Sequence, residues 1–449
     1  MAPRRPDKKS KKRAKAEAMS RAAAAAAAAT DSSSTTATTP TVSPLLLVRA
    51  AEAQLQEGDA EAALALAQSA LDRAEAASTS TGGGGDGDDD DTLAALGVLG
   101  QASLELGDLD AARKHYLRAA AADPDGARGG AEKFLCLAQL SEEGGADSVA
   151  WFERGAAALK ARIQGLEEAI AATTARRIRR GGGGEGGGGD GDGDGDERRQ
   201  ECEELKHKLA MTLCSVAEVY MTDLSWEAEA EARCEALVTE ATLTAPDLAE
   251  AWQTLADVRI SQGRADDARA ALARGLDLWR GLPPHHPRVP DFPSRVALAR
   301  LLMEVALERD ALEVLERLVA EDDHSVETWY LGGWGLYVMG EKQREREAQG
   351  GKGDTAGRQD ASKGGDGDEE EDEDDWKASW ISSRVWLNQC LHLYKLQDYE
   401  DERLGEHARE LLDAIAKELG DAPADEGDDD DNDDEGWEDA GDSDEEMQG

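Results

Sequence analysis

The sequence predicts an all-α chain, a solenoid of tandem helical hairpins, and three observations carry that prediction. Apolar residues recur at helical spacing through most of the 449 residues. A turn glycine followed by an alanine at a fixed interval returns along the chain. No strand-like alternation of useful length competes. Around "LGQASLELGDLDAARKHYLRAAAADPDGA", Leu96, Leu99 and Gly100 share one face of a first helix. Gly107 marks the turn; Ala112, Tyr116 and Ala119 line the facing side of a second helix, and Pro124 ends it. The glycine–alanine step recurs as Gly58 and Ala63, Gly107 and Ala112, Gly145 and Ala150, and Gly263 and Ala268. Each is followed by a further small residue, at Ala70, Ala119, Ala157 and Gly275 respectively.

Large residues beside a small one, a turn glycine, two spaced small residues and a terminal proline resemble the tetratricopeptide repeat. The resemblance implies a superhelical solenoid of about seven repeats, because each hairpin buries its apolar face only against its neighbours. Trp252, Leu255, Ala256, Ala268 and Leu272 form a good unit. Looser ones fit at Leu213, Val216, Ala217 and Tyr220 before Pro246, at Leu298, Ala299, Leu302 and Ala311, and at Trp329, Gly332 and Gly333. A closing helix covers "DERLGEHARELLDAIAKELG".

The solenoid is expected over residues 45–420, between a basic N-terminal segment, 1–44, and an acidic tail, 421–449. Gly/Asp-rich inserts at about 79–91, 180–197 and 341–375 interrupt it. Inserts and tails lack the apolar residues that offset ordering entropy, so they are expected to be disordered. Lengthening a surface loop adds little to its closure cost, so hairpins tolerate them. The third insert is expected to separate the two helices of the last unit.

A formal net charge of -46 disfavours nucleic acid and anionic membrane surfaces and favours a basic protein partner. The cysteines, Cys136, Cys202, Cys214, Cys234 and Cys390, form no C-x-x-C pair, which fits a reducing compartment. No apolar run reaches the length of a membrane span, and the tract Ala22 to Ala29 is too weakly apolar for a secretory core. The run "KKSKKRAKAEAMSR" reads as a nuclear localisation signal, with a solvated tail and a mitochondrial transit peptide as rivals; its clustered lysines favour the nucleus. His285 and His286 lie in a proline-rich loop without partners spaced to hold a metal, and no glycine-rich segment ends in Gly-Lys-Ser/Thr. No active site, cofactor or metal is expected.

In tetratricopeptide proteins the first helix of each unit lines the concave groove. That register selects Glu52, Leu55 and Gln56, then Gln101 and Glu105, then Glu132, Gln139, Glu142 and Glu143, and later Glu218, Asp257, Glu304 and Glu327, opposed only by Arg300. Tyr330, Trp334 and Tyr337 follow helical spacing and either stack on arginine or lysine or belong to the core of an imperfect repeat. The groove lacks the Lys, Arg and Asn set with which heat-shock cochaperones of this fold clamp a C-terminal carboxylate.

Repeats from about Leu45 to Gly420, a basic N-terminal cluster, Gly/Asp inserts and a polyacidic end together resemble the fungal assembly chaperones dedicated to ribosomal large-subunit protein 4. That resemblance implies a monomer that captures its newly made basic client by a long internal loop and keeps it soluble. It further implies escort from cytoplasm to nuclear pre-ribosomes, with an import receptor as an additional partner. Other readings are a histone or other nuclear acidic chaperone, and a cochaperone or scaffolding adaptor; an enzyme ranks last.

Overall fold

Three of the turn glycines in the repeat pattern stand in the left-handed region, where a Cβ would be strained: Gly58, Gly107 and Gly263 hold φ of +83°, +76° and +71°. Each lies just past a first helix and lets the chain double back into a second. The computed structural model describes residues 42–80, 86–179, 193–350 and 376–420, and among them it contains helices and no strand. The chain divides into two compact units after Ser294. The basic segment up to residue 41, the acidic tail, and residues 81–85, 180–192 and 351–375 of the inserts lie outside the described residues.

The first unit stacks five hairpins. They are α1 (Pro44–Glu57) with α2 (Ala60–Ser80), α3 (Asp86–Glu105) with α4 (Leu109–Ala122), α5 (Glu132–Gln139) with α6 (Gly145–Arg179), α7 (Gly193–Met221) with α8 (Ala230–Thr244), and α9 (Ala249–Ser261) with α10 (Ala265–Asp277). Ser43 and Asp108 cap α1 and α4 through their side chains, satisfying amide groups that a helix start leaves open. The second unit holds most of α11 (Phe292–Glu304), then α12 (Glu308–Glu321), α13 (Val326–Gly350), α14 (Trp376–Leu396) and α15 (Glu402–Leu419). Although residues 351–375 intervene, α13 and α14 pack along their lengths. The fold is thus an all-α tetratricopeptide-repeat solenoid.

Small side chains set how closely the helices approach. Ala63, Ala67 and Ala70 on α2 and Ala112 on α4 are completely buried, while Leu96 and Leu99 fill the space beside them. A Cβ on Gly100 would lie 2.5 Å from the Tyr116 ring, so glycine is what admits that ring. In the second unit, Gly332 and Gly333 of α13 receive Trp386 and Leu387 of α14 at equally close range. All five cysteines are free and buried, and burial pushes the Cys214 and Cys390 thiols up to about 12, far from reactive thiolates.

The third hairpin departs from the expected register. Ala150 and Ala157 are exposed, and the close-contact positions belong to Ser148 and Gly155, with Phe152 between them. Ser148 Oγ donates to the Ala138 carbonyl at 2.8 Å, and a Cβ on Gly155 would lie 2.5 Å from Leu135. The cause is the turn: α5 is short, ends at Gln139, and is followed by Gly144 and Gly145, both left-handed. Helices also run further into the low-complexity segments than expected. Helix α3 starts at Asp86, and Arg128 pairs with Asp89 at 3.3 Å. Helix α7 starts at Gly193, and Arg162 on α6 holds Glu201 at 2.6 Å. Helix α13 continues to Gly350 because α14 holds it: Ser379 Oγ donates to buried Gln343 at 2.8 Å, and Arg344 lies over the Trp380 ring.

Ala112→Arg is expected to destabilise the protein by about 3 kcal/mol or more, through overpacking and an unpaired buried charge. Gly333→Ala is expected to lower the midpoint by a smaller step. Urea unfolding followed by circular dichroism measures both; an unchanged midpoint for Ala112→Arg overturns the packing described.

Candidate protein-binding surface

In the first unit, α1, α3 and α5 bring Glu52, Gln101 and Glu132 around one recess of about 390 Å³, whose apolar lining includes Leu93, Val98 and Leu104. The residues meet because first helices of successive hairpins lie side by side. Glu105 stands one turn beyond Gln101 and accepts its amide at 3.5 Å. Further along, Glu218 on α7 faces Asp257 on α9. The Glu218 carboxylate is open to solvent yet ringed by protein; desolvation first, and the like charge of Asp257 second, raise its pKa. Burial likewise raises Glu250, with Asp291 adding to the effect. Sequence reading missed Glu250, whose adjacency to Asp291 depends on how the loop before α11 returns to α9.

Not every expected groove residue lies there. Gln139 is the last residue of α5 and is exposed. Glu142 and Glu143 fall in the turn after it, and Glu142 binds Arg113 of α4, a second helix, at 2.8 Å. The register shift in the third hairpin explains their displacement. Nor is Arg300 the one basic group among these residues: Lys208 on α7 pairs with Glu132. Nothing in the local sequence around Lys208 signals that reach across hairpins.

Second helices pair with second helices: Glu75 of α2 with Arg118 of α4, Glu153 of α6 with Arg233 of α8, and Lys160 with Glu240, the last at 2.6 Å. First helices carry pairs of their own, Lys208 with Glu132 and Arg259 of α9 with Glu235 of α8, and still hold more carboxylates than cations.

In the second unit, Glu304, Glu327, Tyr330 and Trp334 do come together, with Arg300, around a cavity of about 670 Å³. Arg300 pairs with Glu327. Tyr330 Oη and His407 Nδ1 lie 2.8 Å apart, and the His407 ring meets Trp334 edge-on at 90°. Tyr337 is not part of this cavity: its ring stacks on Trp380 with centroids 5.1 Å apart, because that turn of α13 faces α14. Asp322, Asp323 and His324 are the side chains among the described residues that could jointly reach a cation, but all three are exposed. Among the described residues no helix is long and apolar enough to cross a membrane.

The tetratricopeptide repeat family profile matches residues 93–125. A protein of Emericella nidulans named "Probable assembly chaperone of rpl4" is 43% identical over 354 residues, 77% of this chain and 77% of that protein. A Schizosaccharomyces pombe protein of the same name is 28% identical over 323 residues, 72% of this chain and 80% of its own length. The solved structure named "Assembly Chaperone of RpL4 (Acl4) (Residues 1-338)" superposes with a TM-score of 0.58 at 49% identity, covering 68% of this chain and 100% of that one.

Because Glu218 holds its proton to higher pH when folded than when unfolded, it binds more protons in the native state, and its contribution to stability falls as pH rises between those two values. Asp257→Asn is expected to move the Glu218 pKa back toward the ordinary carboxylate range. A carbon-13 NMR titration of the glutamate carboxyls checks this; no movement would mean the two groups do not interact.

Proposed function

The chain belongs to the family of fungal assembly chaperones of Rpl4, and on that premise we propose that it binds the free ribosomal protein through the carboxylates of its first helices. The observation that carries the reading is the partition of charge. Glu52, Glu105, Glu218 and Asp257 stand on first helices, whereas Arg118, Lys160 and Arg233 of second helices pair with carboxylates of neighbouring second helices. A ribosomal protein awaiting RNA is rich in lysine and arginine, and its basic internal loop has the charge this surface complements. Holding that loop keeps the client soluble by covering charge that RNA would otherwise neutralise.

The N-terminal "KKSKKRAKAEAMSR" serves as the address for nuclear entry, so the complex moves from cytoplasm to nucleus through an import receptor and gives up its client at the pre-ribosome. The protein acts as a monomeric scaffold without chemistry of its own. Release follows from competition: ribosomal RNA offers phosphates in place of carboxylates.

Reversing Glu52, Glu105, Glu218 and Asp257 to lysine is expected to weaken client binding severely, since a close interfacial charge pair is worth roughly 2 to 5 kcal/mol. Reversing Glu142 and Glu143, or neutralising four aspartates beyond Gly420, is expected to cost little, because those charges stay in water and act across a Debye length of about 8 Å. Calorimetry at two salt concentrations, with helix content checked by circular dichroism, separates the sets. Equal losses that vanish at high salt would replace the docking surface with a diffuse polyanion. A chain ending at Gly420 is expected to retain binding at physiological salt, and complete loss would place the site in the tail.

A further inference from the structure

The cavity in the second unit combines features that the first-helix carboxylates lack. Its wall is apolar and aromatic, from Met303, Leu331, Tyr330 and Trp334, and Glu304 stands exposed at its edge. Four carboxylates border it with two guanidinium groups; Glu327 is paired with Arg300 and Glu308 with Lys342, and Glu304 is an exposed carboxylate at the rim that no ion pair among the described residues engages. Elsewhere the chain places guanidinium groups on aromatic rings: Arg154 lies 4.6 Å from the Trp151 centroid, and Arg344 lies 4.8 Å from that of Trp380. Among the described residues no cation stands over Tyr330 or Trp334, although Trp334 is only partly buried.

We propose that this cavity is a receptor for a single arginine side chain of the basic partner, taken up separately from the segment held by the first unit. The inference rests on the reading that the partner is a basic protein. Arginine fits better than lysine or an aliphatic residue, for three reasons. Its stem covers the apolar wall formed by Met303 and Leu331. Its planar, weakly hydrated head stacks on aromatic rings. Its fork presents parallel donors to the carboxylate of Glu304, and such charge-assisted bonds are stronger than neutral ones. Tyr330 Oη and His407 Nδ1, 2.8 Å apart, fix the Tyr330 ring, whose centroid lies 6.1 Å from that of Trp334. A cavity of about 670 Å³ is larger than one side chain needs, which leaves room for the backbone that carries it.

Met303 provides a local reporter. The full chain, labelled at its seven methionine methyl groups, is titrated with acetyl-Ala-Arg-Ala-amide and with counterparts carrying citrulline, lysine or norleucine, and Met211 in the first unit serves as internal reference. The arginine peptide is expected to shift the Met303 methyl resonance at lower concentration than any counterpart, while Met211 stays in place. Glu304→Gln is expected to weaken that response by roughly tenfold, the size of a lost hydrogen bond to a charged group. Binding of the purified ribosomal protein is measured on the same samples. If the ribosomal protein binds but no peptide moves Met303, or norleucine works as well as arginine, the arginine receptor is wrong and the client reading stands. If Met303 responds selectively to arginine while the ribosomal protein does not bind, the pocket stands and the client reading fails.

Discussion

Close approach of helices at residues with little or no side chain is the constraint on which the remaining structure depends. Gly100 yields to Tyr116, Gly155 to Leu135, Gly332 to Trp386 and Gly333 to Leu387. Where the axes come near, a large residue from the partner helix fills the space that the missing side chain leaves. The same arrangement recurs in every well-formed hairpin, so a long chain remains a series of short-range contacts. It also directs apolar residues into the hairpin seams and leaves the outer faces of both helices to polar groups. Those two faces are then free to differ in charge.

They do differ. The second helices carry ion pairs that link one hairpin to the next, such as Lys160 with Glu240, whereas the first helices hold carboxylates that repel one another, as Glu218 and Asp257 do. Exposed pairs of the first kind add little stability. Their effect is to occupy Arg118, Lys160 and Arg233 on the second helices of the first unit. The raised pKa of Glu218 records its desolvation first and the like charge of Asp257 second.

Much of this was legible in the sequence. The paired glycine and alanine positions named the hairpins at Ala63, Ala112 and Ala268, all of which are completely buried. The third hairpin was misread because Gly145 and Ala150 satisfy the same spacing as a true turn, while Ser148, Phe152 and Gly155 repeat the interval of Ala112, Tyr116 and Ala119. Spacing within one helix could not choose between them; packing against Leu135 does. Glu142 and Glu143 were carried out of the surface by that error. The acids of α1, α3, α7 and α9 were legible because the repeat fixes which side of a helix is outward. The pairing of Lys208 with Glu132 was not, since it joins residues far apart in the chain.

The loop joining α4 to α5 holds an ion pair of another kind. Asp123 and Lys133 are both almost wholly buried and 2.7 Å apart, and the carboxylate also accepts the Gly129 amide at 2.8 Å. Burial alone would favour a neutral Asp123, but the ammonium group and the backbone donors outweigh it and lower its pKa. Ions in solution screen exposed charge over about 8 Å at physiological ionic strength and hardly reach a pair enclosed by protein. Grip and frame would therefore answer differently to ionic strength: if exposed carboxylates hold a basic cargo as proposed, salt loosens that hold while this joint stays locked, and unloading need not involve unfolding.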